Sequence, residues 1–417
     1  MTALPFYKLL LVFIVQVLLG YASQRAWFFF TRAWWRRRGL PLHFHTVFFF
    51  LLLLASAWVL ASHSYHRPAM LKWLYGWSAV YLVSSSVSGV MLAALYAVEA
   101  MRRHLRRGPG ETVKTPSVAV AAVPIAAIPR RSRAVGLAEA PLSVERRSLL
   151  RWAGTAVLTV PWAAFAYGYA VERTDVRLTH VPLRLGPVAR PWRGLRLALI
   201  SDIHLDDYFS LAHLRQVVRR INRLRPDLVA ITGDFITYRR SISDVISALA
   251  GLRARLGIFG CLGNHEIDER AQRLITAACA GIGIEILRFQ ARQLRRPGKR
   301  LNLLGVDFLQ AGEEEDVRGL RPLVRPHELN ILLSHNPNVF PYLDGMPIQL
   351  TLAGHLHGGQ IVFPGLPALS PARLVSPYLG GLYHRHGHWM YVTRGLGTVG
   401  VPIRLGAPPE ITLLELV

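Results

Sequence analysis

Cysteine is almost missing from this chain: 417 residues hold two, Cys261 and Cys279. So few cannot build a multi-bridge scaffold, and neither sits at a zinc-finger spacing. Cys261 lies in an apolar, strand-like run and Cys279 in a helix-like "ITAACAG", so both read as small buried hydrophobes rather than as a disulfide. Acidic residues are scarce too, 25 against 49 basic ones, which leaves a formal net charge of +24. Lysine supplies only four of the basic residues, a bias toward arginine that carries no chemistry by itself. So large a positive excess suggests nucleic acid at first sight. Its distribution argues otherwise, because much of it sits in short clusters beside apolar runs, where an inner leaflet and the insertion machinery account for it. With no basic helix repeat and no aromatic RNA-binding pattern, nucleic acid is not read as the main partner.

What the chain does have is apolar length. Its hydrophobic fraction is 52%, densest before residue 171. Four segments, 6–22, 44–62, 73–98 and 149–171, reach or approach the length of a membrane-spanning helix. Trp34, Trp35, Trp73 and Tyr169 near their ends fit interfacial belts. The loop between the first two spans carries Arg25, Arg32, Arg36, Arg37 and Arg38 and no acid. The second and third spans are joined by a loop with only Arg67 and Lys72, whereas Arg102, Arg103, Arg106 and Arg107 follow the third. The positive-inside rule then puts the first and third loops in the cytoplasm, and the fourth span delivers everything after it to the other side. The expected organisation is three transmembrane helices in residues 1–107, a Pro/Ala-rich cytoplasmic linker at 108–148, a fourth helix at 149–171 and a globular domain at 172–417. "ERRSLLRWAG", at the end of the linker, resembles a twin-arginine export signal, although a plain basic flank on a membrane helix explains it as well. The expected location is a bacterial cytoplasmic membrane, multi-pass, with the globular domain extracytoplasmic.

From about Arg193 the texture changes. Short apolar runs ("LRLALISD", "DLVAITGD", "GIFGCLGN", "LNLLGVD", "NILLSH", "IQLTLAGH") alternate with helix-like stretches such as "LAHLRQVVRRINRLR". That alternation predicts a layered α/β domain with internal strands. Polar residues gather where those strands end, which is where open α/β sheets place ligand sites. The ends carry Asp202 and His204, then Asp234, then Asn264, His265 and Glu266, then His335, then His355 and His357. Side chains two apart in a strand share a face, so Asp202 with His204, and His355 with His357, are expected to point at one object each. Taken alone, "GHLHGGQ" at 354–360 fits an edge strand with two solvated histidines as readily as a metal site.

Taken together, Asp-x-His, Gly-Asp, Gly-Asn-His-Glu, a further His and Gly-His-x-His, in that order and with 32 residues from Asp202 to Asp234, resemble the signature of calcineurin-like metallophosphoesterases. The match covers roughly residues 193–417. The ending "YVTRGLGTVGVPIRLGAPPEITLLEL" is similar to one subgroup, the membrane-anchored YkuE/YaeI type and the transmembrane proteins with a metallophosphoesterase domain. The resemblance implies a four-layer α-β-β-α sandwich holding two divalent metal ions. By that analogy Asp202, His204 and His357 hold one ion, Asn264, His335 and His355 hold the other, and Asp234 bridges them. His265 would face the substrate, stabilising developing charge or protonating the leaving group. A mixed imidazole and carboxylate set suits Mn, Fe, Zn or Co better than Ca or Mg. Such a pair clamps both oxygens of an in-line displacement and supplies hydroxide near neutral pH. The expected activity is hydrolysis of a phosphodiester or phosphomonoester in a phosphorylated small-molecule or lipid substrate. Hydrolysis of a lipid-linked pyrophosphate of the UDP-2,3-diacylglucosamine type, as in lipid A assembly, is an alternative; an inactive membrane scaffold is another, disfavoured because no ligand is missing.

Lesser features read more plainly. Asp206 and Asp207 are taken as a solvated loop rather than extra ligands. "ARQLRRPGKR" reads as an exposed hairpin, with contact to anionic lipid as the weaker reading. "YHRHGHW", with His384, His386 and His388, reads as a solvated loop, and "EEED" at 313–316 as a loop or helix start. Arg394 and Arg404 have no role that the sequence supplies.

Overall fold

The computed structural model describes residues 80, 83, 84, 87, 88, 101, 156 and 159–417, apart from 207, 364, 365, 367 and 369. The first two predicted spans and the linker lie outside the described residues, as do most of the third span, the start of the fourth and Asp207. Among the described residues no helix is long and apolar enough to cross a membrane. The residues from Ala163 to Val417 belong to one compact unit.

That unit is an α/β structure built on two six-stranded sheets. The first contains β1 (Arg177–Leu183), β12 (Glu410–Leu416), β2 (Arg196–Ile200), β3 (Leu228–Thr232), β4 (Ile258–Cys261) and β5 (Ile284–Ile286), in that spatial order. β2 to β5 run parallel, and β12 lies antiparallel to β2 but parallel to β1. In the second the order is β10 (Gly381–Arg385), β11 (His388–Val392), β9 (Leu350–Ala353), β8 (Leu329–Leu333), β7 (Lys299–Gly305) and β6 (Gln290–Arg296). Its four inner strands are parallel and both edges are hairpin strands.

Strand alternation makes the layers. Leu197, Leu199, Leu228 and Ala230 face the second sheet and meet Leu301, Leu303, Ile331 and Leu352 in the central core. Their neighbours Ala198, Ile200, Val229 and Ile231 face outward and pack under helices. Those helices are α1 (Leu211–Arg223), α2 (Ile242–Leu249) and α4 (Gln272–Ala280). α1 shows why: Leu214, Val217, Val218 and Ile221 recur at helical spacing on one buried stripe, and Ser210 caps its start through His213 N–H. The short α3 (Asn264–Asp268) follows β4.

The expected second helical layer is different. Over the second sheet the covering segments Glu314–Leu323 and Pro337–Leu343 are 3-10 helices, with Pro322 and Pro341 inside them. A proline removes a donor and clashes with the preceding turn, so these segments cannot settle into regular α-helix. "EEED" opens the first of them, with Glu314 buried and accepting from Gly312 N–H. "YHRHGHW" is not a loop: it forms the β10–β11 hairpin, turned at His386 and Gly387, both with positive φ. Two consecutive left-handed residues fit the twist of a tight hairpin. The "RRPGKR" hairpin is found as expected, turning between Arg296 and Lys299. Both cysteines are free and buried.

Candidate metal centre

The polar residues picked out by sequence converge from both sheets. β2, β3 and β4 of the first sheet and β8 and β9 of the second end within a few residues of Asp202, Asp234, Asn264, His335 and His355. Asp202, His204, Asp234, Asn264, His335 and His357 are buried; His265 and His355 are partly open. Potential ligand atoms of Asp202, His204 and His357 lie within 4.8 Å of one another, and so do those of Asp234, His335 and His355. A third such group joins His204 and Asp234 to His265. Asp234 belongs to two of the three, with its Oδ2 3.3 Å from His204 Nε2 and 3.1 Å from His335 Nε2.

The expected route to this convergence is corrected. Asp202, His204, Asp234, His355 and His357 all have positive φ and stand past the strand ends, so shared strand faces do not align them. His357 begins a 3-10 turn. Each left-handed residue reverses the local direction of the chain, turning carboxylates and rings inward from loops that would otherwise continue outward. Asp and His tolerate that region better than bulkier residues, but it still costs of order 1 kcal/mol each. His355 and His357 thereby reach different neighbours: His355 Nδ1 lies 3.2 Å from His335 Nε2, and His357 Nε2 lies 3.5 Å from Asp202 Oδ1.

Hydrogen bonds fix several of these groups. Asp202 accepts from His355 N–H at 3.0 Å, and Asp234 from His265 N–H at 2.9 Å. His335 Nδ1 donates to the Thr232 carbonyl at 2.6 Å, which leaves Nε2 facing the pocket. Two glycines make room for the carboxylates. A Cβ on Gly263 would overlap Asp234 Oδ1, and one on Gly354 would overlap Ser201 Oγ. Phe308 leans over His355 with ring centroids 5.1 Å apart, and His265 stands edge-on to His204 at 4.6 Å.

Electrostatics follow from burial and mutual proximity. Burial pushes the Asp202 carboxyl up. For Asp234 burial acts in the same direction, but His335 and His204 overcome it and hold the group well below the usual carboxylate range. Burial alone would lower His335, yet the Asp234 charge and hydrogen bond raise it to about 9. Burial and then the neighbouring His335 take His355 down to about 3. His357 is held well below its ordinary value by burial and by Arg404. Burial also lowers His265.

Whether this pocket suits a cation is answered by its loose ends. Buried His204 Nδ1 has no hydrogen-bond partner, its Nε2 meets only Asp234 Oδ2 at 3.3 Å, and Asn264 Oδ1 has none. Buried acceptors without partners are expensive, and here they sit beside two carboxylates. Imidazole nitrogens, an amide oxygen and carboxylates form a donor set that divalent transition ions satisfy. The residues fit metal.

Two supporting residues carry roles that the sequence did not disclose. Glu266 is fully buried and its carboxylate accepts four backbone N–H groups, from Asp234, Phe235, Ile236 and Gly263, at 2.8 to 3.3 Å. It ties the loop after β3 to the loop after β4, although burial and the Asp234 charge push its carboxyl up to about 7. The signal was present as the last letter of "GNHE". Arg404, also buried, donates to the carbonyls of Gly397, Arg394, Ala407 and His357 and lies 3.2 Å from His357 Nδ1. The Asp206 carboxylate accepts from Tyr208 and Phe209 N–H, which fits a turn rather than a ligand.

Residues 195–359 match the family described as calcineurin-like phosphoesterase. The metallophosphoesterase YkuE of Bacillus subtilis is 31% identical over 61% of this chain and 91% of its own length. A Danio rerio transmembrane protein with metallophosphoesterase domain is 31% identical, over 65% of this chain and 63% of its own. The UDP-2,3-diacylglucosamine pyrophosphatase LpxG of Chlamydia muridarum is 26% identical, over 63% and 95% respectively. With the pocket, its donor set and these relatives in view, the chain belongs to the calcineurin-like phosphoesterases, metal-dependent hydrolases of phosphoric esters.

Proposed function

We propose that this protein is a membrane-anchored phosphoesterase that uses two divalent metal ions to hydrolyse a phosphodiester or phosphomonoester. One observation carries the reading: two triads of ligand-type side chains, Asp202, His204, His357 and Asp234, His335, His355, all buried except the partly open His355, occupy one pocket fed by five strand ends. The first triad would hold one ion; His335 and His355, with Asn264, would hold the other, and Asp234 would serve both. Mn, Fe, Zn or Co would suit this set, and when bound supply Lewis acidity and a hydroxide nucleophile at neutral pH. The chain's own residues do the rest. Asp234, kept ionised, offsets cationic charge in the pocket. His265, half open and held through its N–H by Asp234, is placed to orient a phosphoryl oxygen or pass a proton to the leaving group. The ring of Phe308 packs against His355, with centroids 5.1 Å apart.

The apolar segments before residue 171 and the Danio rerio relative's name support a multi-pass anchor in a cytoplasmic membrane. The charge rule supports an extracytoplasmic domain. The test uses the full-length chain in detergent, a soluble aryl phosphodiester, and added Mn after chelation. Chelation should abolish hydrolysis and Mn restore it; wild-type activity no greater than that of Asp234→Asn would sink the proposal.

A second reading, cleavage of a lipid-linked pyrophosphate, is favoured by the LpxG likeness. Such a substrate is made in the cytoplasm and would need the domain there. A reporter fused after Val417 separates the two, since the charge count demands an external signal.

A further inference from the structure

The catalytic end of the domain is also the end at which the chain enters it. Helical residues 163–170 lead into Glu172–Thr174 and then β1, whose first residue Arg177 pairs with Glu410. This entry helix docks on the shell of the metal pocket. Gly168 sits so close to the 403–404 backbone that a Cβ there would fall 2.5 Å from the Arg404 carbonyl oxygen. Arg404 N–H donates back to Gly168 at 3.3 Å, and the Arg404 guanidinium holds the His357 carbonyl. Glu172 accepts from Gly406 N–H, Phe165 packs edge-on against Phe363, and Arg173 donates to the Tyr208 carbonyl, just beyond His204.

Exposed apolar side chains collect around the same end. Leu374, at 92% exposed, and Val375, at 64%, sit at the close of a 3-10 turn, Pro371–Leu374, that packs on the His357–Gly359 turn. Leu366 and Val399 are exposed nearby, Val399 through its double hydrogen bond to Gln360, and the entry helix adds Tyr167 and Val171. Exposed Arg373 stands on the same turn, and exposed Arg239 and Arg240 follow β3 at this end of the domain, Arg240 stacked over Tyr238. The opposite end is unlike this. There the "RRPGKR" turn and a groove of about 380 Å³ are lined by Lys299, Arg300, Arg325, His327 and Glu328.

We infer that the catalytic end rests on a lipid bilayer surface, with Leu374 and Val375 immersed at headgroup depth and the metal pocket opening toward the membrane. This rests on the reading above that the chain is anchored in a membrane by the apolar segments ahead of the domain. The occupant is lipid rather than protein because the apolar group lies beside the helix by which the chain arrives from its apolar segments and includes arginines and tyrosines, side chains that settle at membrane interfaces. A phosphoester carried by a bilayer-resident amphiphile would then meet the pocket without leaving its leaflet. The basic far end would face away from that membrane, which removes the lipid-contact reading of the "RRPGKR" hairpin.

The test places one environment-sensitive dye on the full-length chain through Leu374→Cys, Val375→Cys or Gly298→Cys. Cys261 and Cys279 are buried and do not compete for label. The labelled chains are reconstituted in vesicles of phosphatidylcholine and phosphatidylglycerol. Brominated lipid should quench the dye at 374 and at 375 at least about threefold more than at 298, and aqueous iodide the reverse. Equal access to iodide at all three positions, or deeper placement of 298, overturns the inference. So does a blue-shifted dye at 374 that brominated lipid leaves bright, which would identify a protein contact. These outcomes do not depend on turnover. Failure of the aryl phosphodiester assay would remove the enzymatic reading and leave the depth measurement standing, and the converse also holds.

Discussion

Replacing Glu266 with glutamine changes one atom and removes a charge, and the structure sets how much that should matter. One carboxylate oxygen accepts from Asp234 and Gly263 N–H at 3.0 and 2.8 Å, the other from Phe235 and Ile236 N–H at 2.9 and 3.3 Å. Glutamine keeps one acceptor and turns an NH2 toward two donors. Hydrogen bonds to a charged group contribute about 1.5–3 kcal/mol each, so losing two costs about 3–6 kcal/mol. For a domain of this size each kcal/mol moves the midpoint by about 2–4 °C, giving a fall of about 6–24 °C. Thermal unfolding of the full chain in detergent at neutral pH measures it, with Glu266→Asp, which keeps the charge but shortens the reach, expected in between. A Glu266→Gln midpoint within about 2 °C of wild type would mean that the side chain is already protonated and that the four-donor clasp is not what holds the two loops.

Gly263→Ala should cost both stability and turnover, because the added Cβ must displace the Asp234 carboxylate. A shift of about 1 Å at such a group lowers kcat by about 100-fold, which the aryl phosphodiester assay reads. Arg404→Lys should destabilise by about 1–3 kcal/mol, seen as a lower melting midpoint, since an ammonium has three donors for the four carbonyls that the guanidinium holds. Metal-stripped protein should be most stable around pH 6.5, the ordinary histidine value. His355, lowered to about 3 in the fold, stays neutral while the unfolded chain takes up a proton, so stability falls as pH drops from there toward 3. His335, raised to about 9, holds a proton that the unfolded chain has lost, so stability also falls as pH rises toward 9. A melting temperature that climbs steadily to pH 9 would contradict the His335 expectation, and one that holds level or rises as pH drops from 6.5 toward 3 would contradict that for His355.

The strands and the residues at their ends were legible because apolar runs of four to five residues closing on Asp, Asn or His are local patterns. How those residues turn into the pocket was not legible. Period-two reasoning assumes extended backbone, and Asp202, His204, His355 and His357 lie beyond the strands in left-handed conformation. Backbone reversals at non-glycine residues leave no mark in composition. The same holds for Arg404, an arginine among 45 whose importance comes from four carbonyls gathered around it by tertiary structure. His384 and His388 looked like loop residues because three histidines and a glycine mask a hairpin whose turn is His386-Gly387. The 3-10 layer, by contrast, is marked in the sequence by Pro322 and Pro341, which interrupt the segments that form it.

β12 lies between β1 and β2, so the last strand of the domain is an interior one. β1 therefore waits more than two hundred residues for its partner, and until residues 410–416 arrive the first sheet stops at the outer side of β2. Glu410, which opens that strand, also clasps Arg394 and Thr179 beside the entry helix. The histidines and aspartates of the pocket all precede that strand in the chain, so the sheet that steadies them closes only through pairings of long sequence separation, which fold slowly.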